Sequence, residues 1–264
     1  SAGLRDLETL LGVVLVERTK RAVRFTPLGN AVVAKAHRLL REAEELSDMV
    51  QSAGQPLSGE VRMSVIPTIA PFLLPRMLPR LRRERPALKL FLREEPSAQA
   101  CESLHHGAVD CVLLALPFDI GEAAVEHICD DRLFVAFPKD DPRYPPAAIP
   151  PDMIDQGRLL LLEDGHCLKE QVLSACGRPE LRADPAHRGT SLVTLVEMVA
   201  GGLGQTLVPK LALDAGILTH GNLIARPVSG NAARTVSLVW RQGSPREAEF
   251  RLMGESLVAG LALS

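Results

Sequence analysis

The sequence predicts an α/β protein: two small lobes of alternating strands and helices, preceded by a winged element and one long helix. Three observations predict it. From Glu60 onward, short apolar runs at 61–66, 88–94, 111–116, 133–137, 158–162, 205–208 and 235–240 alternate with helical stretches, the pattern of a layered α/β fold. A proline-rich stretch at 141–151 interrupts the alternation near its middle, which favours two lobes over one sheet. Ahead of this region lie a basic hairpin pattern and a long amphipathic run. A chain of 264 residues that is 46% apolar has material for more than one buried core.

Leu4, Leu7, Leu10 and Leu11 form one apolar helical stripe that stops at Gly12, a residue suited to a helix C-terminus. Apolar residues at 13–16, a polar turn Glu17-Arg18-Thr19-Lys20-Arg21 and a second run through Val23 and Phe25 follow, reading as a basic hairpin or wing. Thr26 before Pro27 is a strong helix start, a cap residue with proline at the first helical position. Val32, Val33, Ala36, Leu39, Leu40, Ala43, Leu46 and Val50 then repeat near every 3.5 residues, a seam that wants a partner helix. Self-association is expected there. The helix should end in the linker 52–59, rich in serine, glycine and proline.

The formal charge of −2 excludes a uniformly basic nucleic-acid binder, so any DNA contact must come from a local patch. Residues 1–41 hold eight Lys or Arg against three acids. Arg5, Arg18, Lys20, Arg21 and Arg24 are the candidate DNA-contacting residues, Arg5 toward the major groove and the others against backbone phosphates. No apolar run is long enough for a membrane span, and the start has no signal-peptide pattern. A cytoplasmic protein with no membrane partner is expected. The chain opens inside a helix, so further N-terminal residues are expected before it. Five cysteines do not read as a secreted disulfide framework. His105 and His106 are adjacent and no C-x-x-C or H-x-x-x-H spacing occurs, so neither a metal nor another cofactor is expected.

The most informative stretch runs from Leu159 to Gly177, as strand, acidic turn and helix. Asp164 and Gly165 are expected to end the strand and cap the helix, putting Cys167 in the first turn, where free N–H groups and the helix dipole favour an anion. A protonated His166 and nearby Lys169 would add to that effect. Thiolate character is what makes a cysteine react with an oxidant, giving a sulfenic acid first. Cys176 lies nine positions on, about 13–14 Å away in a regular helix, while a disulfide tolerates at most about 7 Å between α-carbons. The two sulfurs can join only if the helix between them unwinds. The plainer reading is that both are core residues, since cysteine is often buried. Cys101, Cys111 and Cys129 are read as structural.

The stretch Glu163-Asp164-Gly165-His166-Cys167-Leu168, with a second cysteine nine residues later, resembles the redox centre of the peroxide-sensing LysR-type regulators. Glu17-Arg18-Thr19 and Phe25-Thr26-Pro27-Leu28-Gly29 resemble the wing and linker-helix start of the same family. Ile66-Pro67-Thr68, Asp110-Cys111-Val112, Thr190-Ser191-Leu192 and Gly243-Ser244-Pro245 extend the likeness over nearly the whole chain. The resemblance implies a partial winged helix-turn-helix DNA-binding domain at 1–25, a linker and dimerisation helix at 26–58, and a two-lobed regulatory domain like the periplasmic binding proteins. Lobe I would take 59–132 with 237–264, and lobe II 133–236.

It further implies that Cys167 is the peroxide-reactive thiol and Cys176 its resolving partner, with Thr68, Ser97, His166 and Thr190 helping to bind hydrogen peroxide. Ser97 stands where the family commonly has threonine. The implied partners are promoter DNA, RNA polymerase, further copies of the chain in a homodimer through the linker helix and a homotetramer, and glutaredoxin or glutathione for reduction. No enzymatic turnover is implied. Two alternatives stay open: a LysR-type regulator that answers a small metabolite, and a thiol peroxidase.

Overall fold

The computed structural model describes residues 2–18, 23–51, 56–141, 147–177, 180, 188–219 and 222–261. The chain begins with helix α1 (Ala2–Leu11) and an antiparallel hairpin of β1 (Val16–Arg18) and β2 (Val23–Phe25). The Glu8 carboxylate accepts from the N–H groups of Leu15 and Val16, at 2.8 and 3.1 Å, and so pins the hairpin to the helix. The leucine stripe of α1 is not buried: Leu7, Leu10 and Leu11 are all exposed. Helix α2 (Pro27–Gln51) starts where the Thr-Pro pair predicts, and Thr26 Oγ1 accepts the Gly29 N–H at 2.9 Å. Leu39 and Leu40 on it are exposed, an apolar seam left open within one chain.

The α/β region follows as β3 (Gly59–Val65), α3 (Ala70–Glu84), β4 (Leu88–Glu94), α4 (Ser97–His105), β5 (Cys111–Leu116) and β6 (Ala123–Pro138). Then come β7 (Leu161–Leu162), α5 (Cys167–Ala175), β8 (Arg188–Gly189), α6 (Leu192–Ala200), β9 (Thr206–Pro209), α7 (Lys210–Asp214), β10 (Leu223–Pro227), β11 (Ala233–Arg241) and α8 (Glu247–Leu261). Seven strands share one ladder in the order β10-β6-β11-β5-β3-β4, with β9 also paired to β6. β3 runs parallel to β4 and β5, and every other pairing in the ladder is antiparallel.

The ladder is continuous because β6 is long enough to serve both halves. Its first part pairs with β11 and its second with β9 and β10. Two separate apolar cores nevertheless form. One gathers Val61, Met63, Leu113, Leu238, Trp240 and Phe250; the other gathers Val135, Phe137, Leu160, Leu195 and Val208. Each such buried side chain contributes about 1.5–3 kcal/mol of transfer free energy. The chain therefore folds as two α/β halves on a shared strand. Among the described residues no helix is long and apolar enough to cross a membrane.

Candidate functional site

Where the two halves meet, the N-terminal ends of α4 and α5 face each other. The Ala98 N–H donates to the Gly165 carbonyl at 3.1 Å, and the Cys167 N–H donates to Ser97 Oγ at 3.1 Å. Gly165 adopts φ of +91°, a conformation natural to glycine that turns the acidic loop sharply into the helix. The sequence reading gave the capping role to Asp164 and Gly165. The structure corrects this: His166 occupies the cap position without a side-chain cap bond, and Ser97 from α4 satisfies the first-turn donor. The dipoles of both helices direct partial positive charge to this junction, and Cys167 lies there with 1% of its surface exposed.

The charged neighbours differ from expectation. Lys169 pairs with the Asp164 carboxylate, which Arg188 also approaches at 3.5 Å. The hydrogen bond from Lys169 holds the exposed Asp164 carboxyl below its ordinary range, with the Lys169 and Arg188 charges acting the same way against slight desolvation. The Lys169 ammonium is thus engaged with Asp164. His166 is buried, and burial lowers its pKa, with the Glu163 and Glu170 charges opposing. The imidazole is therefore neutral at pH 7, so the condition under which His166 would add positive charge beside Cys167 is not met.

A pH effect follows. The unfolded chain takes up the proton near the ordinary value of 6.5, and the folded chain only below it. The neutral ring's share of stability is full above 6.5 and is lost as pH falls from there toward the depressed folded value. Melting temperatures measured over about pH 5 to 8 should fall on acidification, and His166→Asn should flatten that slope. An equal slope in both proteins would rule out this residue as its source.

Thr68, between β3 and α3, is buried and held by Arg234 of β11. Its Oγ1 accepts from Nη1 at 2.8 Å and its carbonyl from Nη2 at 2.9 Å. Arg234 in turn donates through Nε to Asp131 Oδ2 at 3.0 Å, and Asp131 Oδ1 accepts the Leu211 N–H at 2.9 Å. Both charged side chains are fully buried. Sequence reasoning missed this pair, because Asp131 and Arg234 fall just ahead of the apolar runs at 133–137 and 235–240 and lie 103 residues apart.

Thr190 is exposed, next to Ser191, whose hydroxyl accepts the Thr194 N–H at 3.1 Å and caps α6. The structure thus joins Ser97 to Cys167 by a hydrogen bond, places His166 beside it only as its neighbour in the chain, ties Thr68 to Arg234, and leaves Thr190 outside these hydrogen bonds. Cys176 ends α5, buried, and burial pushes its thiol up to about 11. All five cysteines are free thiols. The span between Cys167 and Cys176 is regular helix, so about 13–14 Å separates their positions along the axis.

Helix α5 belongs to both halves. Cys167 packs in the first core, whereas Leu168, Val172, Leu173 and Cys176 pack in the second. Gln171 Nε2 reaches across to the carbonyls of Ala115 and Pro117, at 2.9 and 3.3 Å. Of the basic residues named from sequence, Arg5 on α1 and Arg24 on β2 are exposed, and Arg18 ends β1. Lys20 and Arg21 lie outside the described residues.

Two α/β halves on a shared strand, with a helical bridge between them and a hairpin and long helix in front, define a two-lobed regulatory protein. The chain belongs to the LysR-type transcriptional regulators: the LysR substrate binding domain family matches residues 54–262, and the fold is that of the periplasmic binding proteins. It is 40% identical to the HTH-type transcriptional regulator EstR of Acinetobacter baylyi over 251 residues, 95% of this chain and 83% of that one. It is 36% identical to the dual regulator OxyR of Escherichia coli over 260 residues, 98% of this chain and 85% of that one. Among solved structures, a full-length cysteine-to-aspartate OxyR from Pseudomonas aeruginosa superposes with a TM-score of 0.79 at 32% identity, covering 97% of this chain and 83% of that one. A hydrogen-peroxide-bound cysteine-to-serine OxyR from Corynebacterium glutamicum gives 0.73 at 30% identity, covering 99% and 83%.

Proposed function

We propose that this regulator senses hydrogen peroxide through Cys167 and reports it through a reversible Cys167–Cys176 disulfide. The observation that carries the reading is the placement of Cys167 at two facing helix N-termini, its N–H bonded to Ser97 Oγ, with Cys176 at the far end of the same helix. Negative charge develops on the departing peroxide oxygen as the sulfur attacks, and the two helix ends are oriented to stabilise it. The OxyR relatives support the same reading.

The sulfur of Cys167 attacks one peroxide oxygen, the O–O bond breaks, and the departing hydroxide leaves as water, giving a sulfenic acid. Thr68, Ser97, His166 and Thr190 are the proposed peroxide contacts. Thr68 accepts from Arg234 and keeps its own hydroxyl proton to donate, while the neutral His166 ring can donate one proton and accept another. The Cys176 thiol then displaces hydroxide from the sulfenic acid, forming the disulfide and a second water. Burial keeps Cys176 protonated while α5 is wound; unwinding both closes the gap and returns the thiol to water. Thiols of the glutathione or glutaredoxin kind reverse the bond.

Arg5, Arg18, Lys20, Arg21 and Arg24 make the DNA contacts in this reading, toward promoter DNA and in reach of RNA polymerase. The open seam of α2 pairs two copies, and dimers pair again into a tetramer. Non-reducing peptide mapping after brief peroxide treatment tests it: wild type should give a Cys167–Cys176 cross-link that is absent from Cys176→Ala. Two unlinked sulfurs in wild type, with DNA binding still altered by peroxide, would overturn it. The alternative reading, a LysR-type regulator that answers a small metabolite, treats the cysteines as incidental.

A further inference from the structure

Helix α4 buries Ser97, Ala100, Cys101 and Leu104 on one face. Ser97 Oγ is the acceptor for the Cys167 N–H, and Cys101 sits one turn further along that face, about 6 Å along the axis. Cys101 and Cys167 pack into the same apolar core, while Cys176 packs into the other. The two thiols also interact electrostatically. Cys101 is pushed up to about 11, by burial first, then by charge on Cys167, then by Asp119. Cys101 thus lies on the buried face of the helix whose first residue contacts the N-terminal end of α5.

We propose that Cys101 is a second resolving thiol for Cys167, forming a Cys101–Cys167 disulfide that leaves α5 wound. This rests on the reading of Cys167 as the peroxide-reactive thiol. Cys101 loses its proton as its sulfur attacks the Cys167 sulfenic acid; the S–O bond breaks, the S–S bond forms, and the departing hydroxide takes that proton to leave as water. The two sulfurs together hold the two-electron oxidation delivered by one peroxide.

Because the α4 and α5 ends are already tied by Ala98 to Gly165 and by Cys167 to Ser97, the local bond asks for no unwinding between its partners. The protein then has two oxidised forms. One keeps the bridge between the halves intact and shields Cys167 from over-oxidation; the other, through Cys176, melts it.

The test uses the full chain of Cys176→Ala, treated with stoichiometric hydrogen peroxide, alkylated and mapped without reduction. The expected product joins the Cys101 and Cys167 peptides, with helical content by circular dichroism unchanged. The cross-link should vanish in the Cys101→Ala/Cys176→Ala double variant, where dimedone should trap a sulfenic acid on Cys167. Free, alkylated Cys101 in Cys176→Ala beside a sulfenic or sulfinic Cys167 would overturn this proposal and leave the peroxide reading standing. An unreacted Cys167 in every variant would overturn both. A single Cys101→Ala change should leave the wild-type cross-link to Cys176 intact.

Discussion

Arg234→Met should lower the unfolding free energy by about 3–5 kcal/mol, because it strands a buried carboxylate. Asp131 is fully buried, and its Oδ2 depends on the Arg234 guanidinium at 3.0 Å. Removing the cation leaves that charge in a place water does not reach, and also frees both groups of Thr68 that the arginine holds. Losing a well-packed arginine stem adds to the cost. The change should appear as a fall of roughly 10 °C in melting temperature. Replacing both partners, Asp131→Leu with Arg234→Met, should recover most of the loss, since paired charges cost nearly as much to bury as they return. A single variant within about 0.5 kcal/mol of wild type, the range of ordinary surface changes, would show that the pair is not what holds this corner.

Cys167→Ser should abolish the peroxide response while leaving the fold in place. Serine keeps the backbone N–H that donates to Ser97 Oγ and nearly the same volume, so α5 should form as before. Its hydroxyl has no comparable nucleophilicity toward peroxide. In the wild type, a shift of promoter affinity on oxidation in the usual range for allosteric coupling would be about 5- to 150-fold. The variant should show none, in a DNA-binding titration run with and without peroxide at fixed salt. A full peroxide shift in Cys167→Ser would overturn the assignment of the reactive thiol to Cys167, and the absence of any peroxide shift in the wild type would select the metabolite-responsive reading. The energy is available, since about 30 mV of driving potential in a two-electron couple corresponds to about 1.4 kcal/mol.

Much of this architecture is written locally in the sequence. Thr26 with Pro27 announces α2, the turn at Gly165 announces α5, and apolar runs announce β3, β4, β5 and β11. What the sequence hides is whatever depends on distant partners. The first part of β6 carries Glu126, His127, Asp130, Asp131 and Arg132 and reads as a polar connection, because nothing local says that Asp131 meets Arg234, 103 residues away.

The site divides in the same way. Cys167 at a helix start is legible from its neighbours, whereas Ser97 as its cap lies 70 residues off. Lys169 has a partner that its place in the sequence does not announce. It is near Cys167 in sequence, but its ammonium pairs with Asp164. Cys101, read as structural for want of neighbours, gains them only when α4 and α5 are brought end to end.

The meeting of those two helix ends also has a bearing on how a signal stops. Peptide dipoles supply the electrostatic welcome at Cys167, and they exist only while the coil behind them is wound. A bond to Cys176 that melts α5 therefore dismantles half of the apparatus that made the sulfur receptive. In the proposed mechanism the device would thus extinguish its own sensitivity in the act of reporting, and each molecule would have to be reduced and rewound before answering a second oxidant.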